Sequence, residues 1–203
     1  MSQTTDSPTR LGQTPSQTVG PFFAYGLVPE QYNYEFRSLF GMRLAEPGTP
    51  GEHIVLTGRV FDGAGNAIND ALIEVLQPDA DGRFVETPAE VADSGFRGFG
   101  RCGTGTLPGN RYEFQTIKPG SIGPDQAPFI NVIVTMRGML LHAFTRIYFD
   151  DEQAANAADP VLSAVPAERR PTLLARRQAT PGGAVYTFDI HMQGPQETVF
   201  FDV

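Results

Sequence analysis

The sequence has no tryptophan, one cysteine and three histidines. A single cysteine, Cys102, excludes an internal disulfide and suits a reducing compartment, so a cytoplasmic setting is expected. Positive charge is also scarce, with 15 Lys and Arg against 23 Asp and Glu and a net charge of −8. Nucleic-acid binding needs a basic surface that displaces counterions from phosphates, and this composition excludes it. No apolar run approaches the ~20 residues of a membrane helix. The opening "MSQTTDSPTRLGQTPSQ" has no apolar core, so a secretory signal is not expected. Nucleophile elbow, zinc-ligand spacing and phosphate loop are all missing.

What is present suits a β protein. The chain has 203 residues, 40% hydrophobic and 19% charged, enough for one domain with its own core. Its 22 Gly and 17 Pro predict many turns. Residues 1–52 show little periodicity and read as an arm that packs against the core and a partner; 53–203 read as the domain. In the arm, Phe22–Phe23 look buried and "YNYEFRSLF" (32–40) suggests a short helix. Strands are predicted at 53–61, 71–77, 110–117, 129–136, 140–149, 184–193 and 198–203. The turn cluster 62–70 pairs 71–77 with the strand before it, and 83–105 reads as a glycine-rich loop. Weak helical signals fall at 150–159 and 166–178. The fold class is mainly β, a single sandwich or open barrel.

Chemistry is sparse. His53, His142 and His191 each lie in or beside a strand and read as surface or core histidines. Cys102 reads as a small buried thiol. "DDE" (150–152) reads as a helix cap and first turn. The arginines at 169–170 and 176–177 read as a solvated helix face. From the residues alone this is a soluble β-sandwich with no visible active centre, for which a ligand- or protein-binding module is one reading.

Several segments together are similar to the intradiol ring-cleavage dioxygenases. They are "TPSQTVGPFF", "GEHIVLTGRVFDGAGNAINDALIEVLQPDADGRF", "GFGRCGTG", "YEFQTIKPG", "HAFTRIYFDD" and the ending "QGPQETVFFDV". The likeness runs from Thr14 to Val203 and is closest to the α subunits of the family's heteromeric members. The resemblance implies a non-haem Fe(III) held by two Tyr and two His. No Tyr lies in 84–97, and Ile122 stands at the second Tyr position. Phe129 and Asn131 stand where a His-x-His pair belongs, and Arg146 where catalytic chains carry Gln. Phe and Ile offer no donor, and Asn is a poor ligand for a ferric ion.

The resemblance therefore implies a chain that is inactive alone and binds no metal, with the Fe(III) on a β partner of the same fold in an (αβ)n assembly. It implies that Thr18, Gly20, Pro21 and Arg137 wall the partner's pocket for protocatechuate, a catechol bearing a carboxylate, which O2 cleaves. Arg would orient that carboxylate through its planar fork of donors.

Overall fold

The computed structural model describes residues 12–20 and 22–202. In chain order the strands are β1 (His53–Phe61), β2 (Leu72–Leu76), β3 (Phe99–Gly103), β4 (Arg111–Ile117) and β5 (Phe129–Thr135). They continue with β6 (Ala143–Phe149), β7 (Leu174–Thr180), β8 (Gly183–Thr187) and β9 (Ile190–His191). Four short helices accompany them: α1 (Phe22–Leu27), α2 (Pro88–Ser94), α3 (Gln153–Ala158) and α4 (Pro160–Ala164).

The strand order is β3-β2-β5-β6-β7-β8-β1-β4, with β9 added beside β1. Only two residue pairs, Tyr148↔Leu174 and Phe149↔Ala175, join β6 to β7. At this narrow seam the sheet folds over, so that β3-β2-β5-β6 faces β7-β8-β1-β4. Alternation decides what fills the space between. From one side come Ile73, Val75, Ile130, Val132, Val134 and Ile147; from the other, Ile54, Leu56, Val60, Tyr112, Phe114 and Tyr186. Burying each such side chain contributes roughly 1.5–3 kcal/mol. Gly58 is required by one close approach. A Cβ there would lie 1.8 Å from the Phe188 carbonyl oxygen, to which the buried Tyr112 hydroxyl donates at 2.5 Å.

The arm's second half joins this core. Leu44 is buried; its N–H donates to the Gln115 carbonyl and its own carbonyl accepts from Arg97, both at 2.8 Å. Ala24 and Val28 cluster with Leu72. Phe22 and Phe23, expected inside, are 79% and 43% exposed. Phe36, Leu39, Leu140 and Leu141 are exposed as well.

Several local expectations are corrected. β2 pairs with β3 and β5, not with β1, because the turn at 62–70 closes back on β1 itself: Ile68 N–H donates to the Val60 carbonyl. The glycine-rich 83–105 contains α2, fixed by a capping box between Thr87 and Glu90, and the whole of β3. Residues 33–40 form no helix; a 3-10 turn ends at Tyr32, with Asn33 left-handed at φ 61°. The arginine pair at 176–177 lies on β7, and 170–173 form a 3-10 turn rather than a helix face. The strand expected at 184–193 breaks into β8 and β9. The tail makes one bridge, Phe144↔Phe201, in place of a strand.

Candidate functional site

The alternation that sends Ile130, Val132 and Val134 inward sends Phe129, Asn131 and Ile133 to the outer face of the sheet. Register places Asn131 opposite Arg146 and Phe129 opposite Tyr148. The Arg146 guanidinium carbon sits 4.2 Å from the Phe129 ring centroid, and its Nε–H donates to Asn131 Oδ1 at 3.2 Å. Phe129 is buried among Ala127, Tyr148 and Leu162. Ile122 projects from the turn before β5 and is 41% exposed. The residues at these positions do not fit a ferric ion. Phe129 and Ile122 carry no donor atom, and the oxygen of Asn131 already accepts from a cation. Among the described residues, no three His, Cys, Asp or Glu side chains gather in a metal-binding group.

Beside this position lies a hollow of about 400 Å³ whose walls include Leu76, Phe99, Asn131, Phe144, Arg146 and Phe201. Phe129 and Arg146 thus occupy part of the face without filling it.

The second group of candidate residues meets at the β5–β6 loop. The Thr18 hydroxyl accepts the Gly138 N–H at 2.9 Å and reaches the Met136 carbonyl at 3.5 Å, so it bridges the residues on either side of Arg137. Gly138 adopts φ 88°, which turns the chain back toward β6. Arg137 Nε donates to Asp70, and the Arg137 side chain remains 61% exposed. The Gly20 carbonyl accepts from the Phe23 N–H at the start of α1, and a Cβ added at Gly20 would meet no neighbouring atom within 4 Å. Pro21 lies outside the described residues. The structure therefore joins Thr18 to the loop of Arg137, with Gly20 two residues along. Asp70 escapes sequence reading: it ends a turn cluster and carries no motif.

The histidines stay apart in role. His53 Nε2 lies 2.9 Å from the Thr49 carbonyl, His142 stands edge-on to Phe144, and His191 stacks on Phe61. Cys102 is fully buried, and burial pushes its thiol up to about 11. Asp151 and Glu152 do not cap α3. Both bind Lys118 Nζ, at 2.9 and 2.5 Å, and Glu152, although at the helix start, makes no capping bond.

No helix among the described residues is long and apolar enough to cross a membrane.

A folded-over, mainly antiparallel sheet that carries Phe129, Asn131 and Arg146 on one outer face defines the class. The chain belongs to the intradiol ring-cleavage dioxygenase family; the family model described as Dioxygenase matches residues 41–194. The chain is 61% identical to the protocatechuate 3,4-dioxygenase alpha chain of Burkholderia cepacia, over 96% of this chain and 100% of that one. It is 43% identical to the alpha chain of Pseudomonas putida, over 95% and 97%. To the beta chain of Burkholderia cepacia it is 33% identical, over 73% and 67%. Among solved structures, the dioxygenase domain of a carbohydrate-binding fusion from Streptomyces sp. SirexAA-E shares the fold. It has TM-score 0.58 and 20% identity, covering 92% of this chain and 100% of that one.

Proposed function

We propose that this chain is the iron-free α subunit of a heteromeric protocatechuate 3,4-dioxygenase and that it walls the substrate pocket of a catalytic β chain. The observation that carries the reading is the donor set at the old ligand positions, in which Ile122 and Phe129 have no donor and Asn131 is held by Arg146. The identity with two alpha chains, and the lower identity with a beta chain, support the same assignment. An Fe(III) held by the β partner would supply the activation of the catechol toward O2 that ring opening between the hydroxyl-bearing carbons, to 3-carboxy-cis,cis-muconate, requires.

This chain's own task is to bind and orient. Arg137 offers a planar cation to the ring carboxylate, and Thr18 ties the arm to the Arg137 loop. Gly20 continues that wall. The exposed Phe22, Leu140 and Leu141 give it an apolar surround for the partner to cover. The single buried thiol suits a cytoplasmic assembly.

The test is a paired purification, of this chain alone and of this chain co-expressed with its β partner, followed by bound iron and protocatechuate-dependent O2 uptake. Iron and activity confined to the complex are expected. Stoichiometric iron and turnover in the lone chain would overturn the reading.

A further inference from the structure

Asp70 stands just before β2, 67 residues ahead of Arg137 in sequence, and its carboxylate accepts the Arg137 Nε–H. Its side chain is 18% exposed, against 61% for Arg137, so the carboxylate is the better-anchored member of the pair. The two terminal nitrogens of Arg137 make no hydrogen bond to a described residue. Arg137 is therefore gripped twice. Thr18 pins the backbone at Met136 and Gly138, and Asp70 takes the inner corner of the guanidinium.

We propose that Asp70 is a positioning residue: it fixes the plane of the Arg137 guanidinium and leaves the outer pair of NH2 groups aimed away from the chain, ready for a carboxylate. This rests on the reading of Arg137 as the receptor for the ring carboxylate of protocatechuate. A bidentate contact needs both terminal nitrogens in one plane, facing the anion. An unrestrained arginine spreads over many rotamers, and ordering it on binding weakens affinity. Asp70 also opposes binding, because its negative charge partly neutralises the cation. Water screens that opposing effect at a largely exposed guanidinium, whereas orientation depends on a direct hydrogen bond. Orientation wins, so loss of Asp70 weakens binding.

Steady-state kinetics of the co-expressed complex tests this. Arg137→Ala is expected to raise KM for protocatechuate about tenfold, the loss of one charge-assisted contact. Asp70→Ala is expected to raise KM about fivefold with kcat unchanged. Asp70→Asn, whose amide oxygen still accepts from Nε, stays within about twofold of the wild type. Binding of catechol, the same ring without the carboxylate, measured by competition, is unaffected by Asp70→Ala. In the Arg137→Ala background Asp70→Ala adds nothing. Asp70→Ser serves the same purpose should the alanine variant not assemble. An unchanged or lowered KM in Asp70→Ala, an equal loss for catechol, or an effect that survives Arg137→Ala overturns the positioning role. A KM unmoved by Arg137→Ala itself overturns the receptor reading and the inference with it.

Discussion

The hydroxyl of Thr18 accepts the Gly138 N–H at 2.9 Å across 120 residues of chain, and that bond ties the N-terminal arm to the loop carrying Arg137. The site is exposed, so water replaces the bond when the hydroxyl is removed, and its net contribution is about 1 kcal/mol. Thr18→Val keeps the branched shape and removes the acceptor. Amide exchange at Gly138 is expected to accelerate about fivefold in Thr18→Val and to stay near the wild-type rate in Thr18→Ser. Equal rates in all three proteins would show that the hydroxyl does not hold the loop.

Lys118 is the hub of a charged cluster. Burial alone would lower its ammonium, but the carboxylates of Glu152 and Asp151 outweigh burial and hold it above the ordinary lysine range. Burial would likewise raise Asp151, yet bonds from Lys118 and Tyr186 hold it below the ordinary carboxylate range. The raised lysine contributes stability that is lost as pH rises through its folded value, above ~10. The depressed aspartate contributes stability that is lost as pH falls through its folded value, below ~4. Both contributions are present between. Lys118→Met leaves Glu152 without its cation and Asp151 with only the longer Arg177 pair at 3.5 Å, and is expected to cost about 2 kcal/mol at pH 7. Urea unfolding at pH 7 and pH 3 checks this: the gap between variant and wild type narrows at pH 3, and no gap at pH 7 rejects the account.

Cys102 is predicted to be inert. It sits at a fully buried position on β3 with its thiol pushed up to about 11, so at pH 8 only about one molecule in a thousand carries thiolate. Folded protein is expected to leave Ellman's reagent unreacted for hours, and denatured protein to release one equivalent. Rapid labelling of the folded chain would contradict the burial.

Placing histidines at 129 and 131, where the family resemblance leads one to expect a His-x-His pair, is predicted not to create an iron site. In Phe129→His with Asn131→His, Arg146 still lies opposite residue 131 in the register, and its fixed positive charge opposes a ferric ion. Iron analysis of this variant is expected to show none retained after chelation. Adding Arg146→Gln and Ile122→Tyr supplies a third donor and removes the cation, and iron retention should first appear there. Stoichiometric iron in the double variant would show that Arg146 does not block the position.

The sequence made strands such as β1 and β5 legible because alternation is local: Ile54, Leu56 and Val60 announce one buried face by themselves. β3 was hidden because three of its five residues, Phe99–Gly103, are glycine or arginine, and its pairing with β2 is a tertiary fact. The turn-rich segment before β2 suggests a hairpin with β1, whereas that turn closes on β1 itself and β2 pairs with β3 and β5. Nothing in the residues themselves marks Ile122, Phe129 and Asn131; only the family resemblance singles them out. The resemblance places Thr18 and Arg137 on one wall, but the part played by Asp70 is not visible at all, since β2 to β5 separate it from Arg137.

Asp159 secures the ground on which Phe129 and its neighbours stand. Its carboxylate is fully buried and accepts three hydrogen bonds: Ala127 N–H at 3.0 Å, Leu162 N–H at 2.8 Å and the Tyr148 hydroxyl at 3.2 Å. One side chain thus caps α4, anchors the segment entering β5 and holds β6. Asp159→Ala leaves those three buried donors unpaired and is expected to cost about 3–5 kcal/mol, more than a cap alone provides. Asp159→Asn keeps the volume but turns an NH2 toward one of the donors, for a smaller loss of about 1–2 kcal/mol. Chemical denaturation ranks the three proteins. The same loosening reaches Phe129, two residues beyond Ala127, so amide protection at the start of β5 should fall in Asp159→Ala before that of β1. Uniform loss of protection across both strands would instead mean that Asp159 acts on global stability alone.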